Sequence, residues 1–173
     1  TGRLRAGHTR QGEASKSFKI LETVLRQMLE FNMGRGDLVV AVGGGVVGDL
    51  AGFAAAIYMR GIDFINCPTT TLSMIDSSIG GKTAVDLGDT KNIVGAFWQP
   101  KLVIVDPDTL ATLPRRHFIN GLAEAVKASL LADPELFAIF ENGDVDAQIG
   151  EIICRSLRFK KNIVEQDETE QGM

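Results

Sequence analysis

The chain has 173 residues, 45% of them hydrophobic and 6% aromatic, and a net charge of −4. This is the composition of an ordinary globular protein, and it excludes collagen-like, coiled-coil and disordered chains. No segment interleaves basic and aromatic residues, and no apolar run is long enough to span a bilayer, so we expect neither a nucleic acid nor a membrane as partner. Cys67 and Cys154 lack CxxC or metal-ligand spacing, which favours a reducing compartment, with the cytoplasm as the default.

The hydrophobic pattern predicts strands that alternate with helices in the first part of the chain. The predicted elements are a helix at 15–32, a buried strand at 37–43, an apolar helix at 46–59, a strand at 63–67, a short helix at 71–78, a hairpin of 83–87 and 93–97 around Gly88, and a buried strand at 102–106. After Pro107 the pattern predicts only helices, at 115–132, 135–141 and 146–166. We therefore expect an α/β fold, in which a Rossmann-like parallel-sheet domain at 1–108 precedes an α-helical domain at 109–173.

A glycine-rich turn between a predicted strand and a predicted helix is the first candidate site. Gly43, Gly45 and Gly48 have the GxGxxG spacing, which lets a phosphate approach the backbone at a helix N-terminus. The acidic residue that usually follows about twenty positions later, and binds the ribose, is missing from its place. A tight turn for helix–strand packing is the alternative. Asp49, a carboxylate inside an apolar helix, favours function because an unpaired buried charge is costly.

Hydroxyl and amino groups follow the next predicted strand. Thr69, Thr70 and Thr71 would face the crevice at the carboxyl end of the sheet, although a threonine helix cap explains them equally well. Lys82 stands behind two glycines, as an anion-binding ammonium would, but Asp76 occupies the first glycine position of an ordinary phosphate loop. A surface lysine in a glycine turn is the alternative for Lys82.

A later helix carries Asn120, Glu124 and Lys127 on one face, away from its apolar stripe. The pattern alone favours a solvated face with a Glu–Lys pair. His8 and His117 stand singly, without the spacing of metal ligands, and we interpret both as surface or core residues.

Several long motifs together resemble those of the 3-dehydroquinate synthase family. The motifs are GEASK at 12–16, GGGVVGDLAGFAAAIYMRG at 43–61, PTTTLSMIDSSIGGKTAVD at 68–86, KNIVGAFWQP at 91–100 and LPRRHFINGLAEAVK at 113–127. The resemblance implies an NAD-binding α/β domain joined to an α-helical domain, with the active site between them. It also implies a lyase of the shikimate route to aromatic amino acids, which uses NAD and Zn²⁺ or Co²⁺ and forms a homodimer.

The implied reaction converts 3-deoxy-D-arabino-heptulosonate 7-phosphate into 3-dehydroquinate and phosphate. It proceeds through transient oxidation by NAD, elimination of phosphate, re-reduction and an aldol closure. NAD and the metal would carry out the electronically demanding chemistry, while the protein would orient the substrate and provide charged side chains.

The resemblance also assigns residues. NAD would contact the following residues: Gln11, Gly12, Glu13, Ala14, Ser15, Lys16, Gly44, Gly45, Val46, Val47, Gly48, Asp49, Thr69, Thr70, Lys91, Thr109, Leu110, Ala111 and Thr112. Glu124 would be one of three metal ligands. Lys82 and Asn92 would hold the substrate, chiefly its phosphate, and Arg60 would reach that region from a neighbouring subunit. Asp76 and Lys127 would bind the substrate's hydroxyls or carboxylate.

The chain also departs from the family pattern. The two histidine ligands of the family lie beyond Met173, and the opening strand is absent apart from a remnant at Arg3–Ala6. We therefore expect a fragment that is inactive and poorly stable by itself, with an unpaired sheet edge. The alternatives are a cyclase acting on another sugar phosphate, a metal-dependent polyol dehydrogenase of the same fold, and a nucleotide-binding module without activity.

Overall fold

The computed structural model describes residues 4–8, 12–169 and 171–172. Its helices are α1 (Phe18–Glu30), α2 (Gly45–Ile57), α3 (Arg115–Ala132), α4 (Pro134–Asn142) and α5 (Ile149–Gln166). Its strands are β1 (Leu38–Gly43), β2 (Asp63–Pro68), β3 (Lys82–Leu87), β4 (Thr90–Phe97) and β5 (Leu102–Val103). Shorter helical segments are the 3₁₀ turns Glu13–Ser15, Tyr58–Arg60 and Pro107–Thr112 and the π-helical segment Ser73–Ser77.

A parallel three-stranded sheet organises the first part of the fold. Its strand order is β1-β2-β5, and β1 pairs with β2 over its whole length, from Leu38 opposite Asp63 to Gly43 opposite Pro68. Two parallel neighbours need a crossover between them, and α2 provides it. The carboxyl ends of β1 and β2 consequently lie side by side, and the predicted α/β architecture is confirmed.

The predicted hairpin is also confirmed. Strands β3 and β4 pair antiparallel around Gly88 and Asp89, and Gly88 has a φ of 59°, a conformation that glycine adopts without strain. Helix α2 packs against β1, β2 and β3, so it contacts both the parallel sheet and the hairpin.

The described residues form two hydrophobic cores. The first joins α1, α2, β2 and β3 through buried side chains such as Leu21, Leu50, Phe53 and Phe64. The second lies among the helices of the second part, and Met74 and Ile75 of the segment Ser73–Ser77 are buried in it. This segment therefore runs from the sheet into the helical core. Among the described helices, none is both long and apolar enough to cross a membrane.

The burial predicted for two strands was wrong. Leu38, Val40 and Val42 of β1 are 47%, 49% and 64% exposed, because α2 covers only the opposite face of the sheet. A continuous apolar run is typical of strands that are covered on both faces of the sheet. Here the described residues cover only one face of β1. The strand predicted at 102–106 is also shorter, since only Leu102 and Val103 pair with β2, and Leu102 is 51% exposed.

Several helices begin or end at residues other than those predicted. The helix predicted at 46–59 ends at Ile57, because Met59 and Arg60 have φ values of 51° and 69°. The helix predicted at 146–166 begins at Ile149, after a turn in which Asp144 accepts hydrogen bonds from two following amides. The helix predicted at 15–32 begins at Phe18. Residues 4–8 have no regular structure, and Arg3, in the predicted strand remnant, lies outside the described residues.

Candidate active site

The glycine-rich turn connects β1 to α2 and packs closely against the end of β2. The Thr69 amide donates a hydrogen bond of 2.9 Å to the Gly43 carbonyl. A Cβ atom on Gly44 would lie 2.9 Å from Cγ2 of Thr70, and one on Gly45 would lie 3.0 Å from Oγ of Ser77. Such distances are shorter than ordinary contacts, so a side chain at either position would force Thr70 or Ser77 to move. The packing role predicted as the alternative is therefore real.

The same turn exposes the amide end of α2. Within it, the amides of Val47 and Gly48 donate to the Gly44 carbonyl at 3.0 and 3.1 Å. The preceding amides, those of Gly45 and Val46, come before the first intrahelical bond and carry the partial positive charge of a helix N-terminus. One turn can therefore both pack closely and bind an anion, because a glycine lacks the side chain that would hinder either.

A buried lysine ties this helix to two distant segments. The Lys16 side chain is only 5% exposed, and its Nζ donates hydrogen bonds to Oδ2 of Asp49 and to Oδ1 of Asn92. Lys16 follows the 3₁₀ turn Glu13–Ser15, and Lys91 is 3.4 Å from Glu13 in an exposed ion pair. The predicted cofactor residues near positions 16, 49 and 91 therefore meet in space.

Asp49 lies in a low-dielectric environment. Its side chain is 20% exposed, and burial raises the pKa of Asp49 above its ordinary value of 3.8, although hydrogen bonding and charge attraction from Lys16 oppose this shift. The charge in the apolar helix is thus partnered, as the cost of burying it requires.

The threonines after β2 form a cap, which was the alternative to a ligand-binding role. The Ser73 amide donates to Oγ1 of Thr70 at 3.2 Å, and the Thr70 amide donates to Oγ of Ser73 at the same distance. Thr71 is fully buried. Thr69 and Thr70 nevertheless lie beside the glycine turn, at the carboxyl ends of the strands.

A charged cluster forms where the π-helical segment meets α3 and α5. Asp76 pairs with Lys160 at 2.8 Å, and Glu124 pairs with Lys127. Hydrogen bonding to Glu124 chiefly raises the pKa of Lys127 above its ordinary value, and the charge of Asp76 adds to the effect. The Glu–Lys pair predicted from the spacing therefore exists, and it belongs to a larger group that we call the charged cluster: Asp76, Glu124, Lys127 and Lys160.

Lys160 was not among the site residues predicted from the sequence. The spacing along α5 nevertheless points to Lys160, because it follows the buried Ile152 and Ser156 at successive intervals of four residues. This spacing places it on the inward face of α5. A lysine on such a face needs a partner, and Asp76 is that partner.

The π-helical segment joins the two groups of residues. Ser77 contacts the Gly45 end of the glycine turn, whereas its neighbour Asp76 belongs to the charged cluster. Insertions of this kind into helices are frequent at functional sites. The glycine turn and the charged cluster are consequently adjacent.

Other predicted site residues lie elsewhere in the fold or outside the described residues. Arg60 is exposed beyond the far end of α2, roughly 20 Å from the glycine turn at 1.5 Å per helical residue. Lys82 opens β3 opposite Phe97, with its side chain exposed. The turn that includes Thr109, Ala111 and Thr112 also contains Leu110, whose side chain is buried in the helical core. Gln11 lies outside the described residues.

The described side chains do not provide a complete set of metal ligands. Among residues 4–8, 12–169 and 171–172, no group of three or more His, Cys, Asp or Glu side chains is arranged to hold a metal ion. Glu124 is engaged with Lys127. The described residues therefore do not make a metal site by themselves.

Sequence comparison gives consistent matches along the chain. The family model described as 3-dehydroquinate synthase N-terminal matches residues 7–120, and the one described as 3-dehydroquinate synthase C-terminal matches residues 121–173. The 3-dehydroquinate synthase of Clostridium perfringens (strain 13 / Type A) is 48% identical over 165 residues, which are 93% of this chain and 47% of that protein. The chain thus spans about half the length of the curated relatives it matches.

Solved structures with the same fold include two synthases. The 2-epi-5-epi-valiolone synthase of Streptomyces hygroscopicus subsp. jinggangensis 5008, solved with NAD⁺ and Zn²⁺ bound, matches with a TM-score of 0.81 and 34% identity, over 91% of this chain and 45% of that one. A 2-deoxy-scyllo-inosose synthase, solved with carbaglucose-6-phosphate, NAD⁺ and Co²⁺, matches with a TM-score of 0.84 and 31% identity, over 94% of this chain and 47% of that one.

Proposed function

Because the chain belongs to the 3-dehydroquinate synthase family, we propose that it forms the nucleotide-binding part and a portion of the substrate site of that enzyme. The proposed reaction converts 3-deoxy-D-arabino-heptulosonate 7-phosphate into 3-dehydroquinate and phosphate. The observation that carries the proposal is the π-helical segment, in which Ser77 contacts the glycine turn and Asp76 joins the charged cluster. A cofactor site and a site for an anionic, hydroxyl-rich substrate would thus be adjacent.

NAD fits the residues around the glycine turn. The amides of Gly45 and Val46 precede the first hydrogen bond within α2, and amides at a helix N-terminus suit a pyrophosphate. The residues that would hold the dinucleotide are Gly12–Lys16, Gly44–Asp49, Thr69, Thr70 and Lys91, with the backbone of Thr109–Thr112. When bound, NAD would take up a hydride from the substrate and return it later.

The charged cluster would orient the substrate and handle its protons. Lys127 and Lys160 supply ammonium donors, and Asp76 and Glu124 supply acceptors for hydroxyl groups. An acceptor close to a hydroxyl that is being oxidised can receive its proton, and Asp76 would take this role. Lys82 and Asn92 would restrain the phosphate.

A divalent metal, Zn²⁺ or Co²⁺, is part of the proposal for the whole enzyme. Glu124 would be one ligand, and further ligands would have to join those that the described residues bring together. The roles proposed for Asp76, Lys127 and Lys160 do not depend on the metal.

We propose a homodimer as the active form, because the family resemblance assigns Arg60 to the substrate phosphate of a neighbouring subunit. Arg60 lies at the opposite end of α2 from the glycine turn. A second copy could bring its Arg60 to the substrate phosphate. The described thiols Cys67 and Cys154 are both free, which agrees with the proposed location in the reducing cytoplasm.

The products of the reaction distinguish the competing functions. We expect a protein of full family length that carries this chain to release one phosphate per molecule of substrate, without accumulation of NADH. Release only from a different sugar phosphate would favour another cyclase, and net NADH would favour a polyol dehydrogenase. NAD binding without turnover would indicate a nucleotide-binding module.

Variants of the same protein test the assignment of Glu124. Glu124→Ala should lose most of the phosphate release, because the charged cluster loses an acceptor and the proposed metal loses a ligand. Glu141→Ala is the matched control, since Glu141 is an exposed glutamate on α4. Full turnover by Glu124→Ala would refute the assignment.

A further inference from the structure

Asn92 is held in an unusual conformation by two separate contacts. Its φ is 54°, in the left-handed region that non-glycine residues rarely occupy. Its backbone amide donates a hydrogen bond of 2.9 Å to Oδ1 of Asp86, and its side-chain Oδ1 accepts one from Lys16. The backbone and the side chain of an exposed residue are thus both fixed.

The chemistry of Lys16 determines which way the amide of Asn92 points. A lysine ammonium has three donors and no acceptor, so only the oxygen of the amide can face it. The Nδ2 group, with its two N–H donors, must therefore point away from Lys16. Because the Lys16 side chain is buried and also bound to Asp49, this orientation is imposed from the interior of the protein.

Two aligned N–H donors at an exposed position suit an oxyanion. We propose that Lys16 is a positioning residue, which fixes the Asn92 amide so that both of its N–H groups face the phosphate of the substrate. This inference rests on the proposed function, which places Asn92 at that phosphate. It adds to the cofactor role predicted for Lys16 a second role that acts on the substrate.

The experiment uses a protein of full family length that carries this chain, and compares Lys16→Met, Asn92→Ala and the double variant. For each, we would measure KM for the sugar phosphate, the Kd of inorganic phosphate and the Kd of NAD. Lys16→Met should raise KM and the phosphate Kd by about tenfold, as expected for the loss of a hydrogen bond to a charged group. Lys19→Met is the control, because Lys19 is an exposed lysine on α1.

The double variant separates positioning from mere structural damage. If Lys16 acts through Asn92, Lys16→Met should add nothing to KM once Asn92 is alanine, so the two effects should not multiply. Effects that multiply would overturn the proposal. A Lys16→Met protein with altered NAD affinity but unchanged KM and phosphate Kd would also overturn it, as would a wild type with no measurable affinity for phosphate.

A further variant covers the case in which Lys16→Met does not fold. Asn92→Asp keeps an acceptor for Lys16 but replaces the outward N–H groups with a carboxylate oxygen. We expect an unchanged Tm and weaker phosphate binding than in Asn92→Ala, because the new charge repels the ligand. Phosphate binding at the wild-type level would overturn the proposal. Failure of the wild type to release phosphate from the sugar phosphate would instead refute the proposed function.

Discussion

At the scale of single residues, the sequence indicates which charges need a partner but not which partner they have. Asp49 interrupts an apolar helix, so its importance is predictable from the cost of burial. Its partner Lys16 lies 33 positions earlier, and Asn92 lies 76 positions after Lys16. No periodicity connects such positions, and only the docking of three segments brings them together. The family motifs marked all three without indicating that they touch.

The raised pKa of Asp49 predicts a specific dependence of stability on pH. Between its ordinary pKa of 3.8 and the higher folded value, the native state binds more protons than the unfolded state. The free energy of unfolding should therefore fall as pH rises through this window. Asp49→Asn lacks this contribution, so the stability of the wild type relative to the variant should decrease with rising pH.

Urea unfolding of both proteins from about pH 4 to about pH 7 checks this sign. A relative stability of the wild type that increases with pH would contradict it. That result would mean that the Lys16 ion pair outweighs burial and holds the pKa of Asp49 below its ordinary value.

At the scale of elements, most helices and the hairpin were predictable because each has a strong local pattern. Helix α3 occurs at the predicted residues 115–132, and the turn at Gly88 has its glycine where the backbone needs one. The short helix predicted at 71–78 is present, with residues 71–72 α-helical and Ser73–Ser77 π-helical. Its π-helical geometry was not predictable, because it depends on packing between the sheet and the helices. Its surroundings include a very close approach of α3, at Gly121.

Gly121 allows that approach, and a substitution there should be costly. A Cβ atom at Gly121 would lie 2.3 Å from the amide nitrogen of Leu72 and 2.6 Å from Cβ of Thr71. The backbone would have to move, so we expect Gly121→Ala to destabilise the protein by about 1–3 kcal/mol. The displacement would also disturb the charged cluster and weaken turnover.

Gly150 provides the matched control, because it lies in α5 with no atom within 4 Å of an added Cβ. Gly150→Ala should leave stability unchanged or raise it by about 0.5–1 kcal/mol, through helix propensity. Urea unfolding followed by circular dichroism measures both variants. Equal stability of Gly121→Ala and the wild type would show that α3 and the π-helical segment are not locked together.

At the scale of the whole molecule, the sequence predicted the change from alternating elements to helices but not how the two parts interlock. Met74 and Ile75 belong to the helical core although they precede the last strands of the first part. The charged cluster depends on this interlocking, because it takes Asp76 from the π-helical segment and its other members from α3 and α5. Residues from distant parts of the chain thus form one charged cluster.

Lys160 tests this arrangement, because it reaches Asp76 across the junction. In a protein of full family length, Lys160→Met should raise KM for the sugar phosphate by about tenfold, through loss of an ammonium donor. Lys161→Met is the matched control, since its side chain is 66% exposed and faces Glu165. Equal KM values for the two variants would remove Lys160 from the substrate site.

A hydrogen atom followed through the reaction distinguishes transient from net oxidation by NAD. The substrate would carry deuterium on the carbon that is oxidised, and a protein of full family length that carries this chain would be given unlabelled NAD. We expect the deuterium to be retained in 3-dehydroquinate, with one phosphate released and no label in the free nucleotide. Deuterated NADH in solution, formed in step with the product, would refute the proposed function and identify a dehydrogenase.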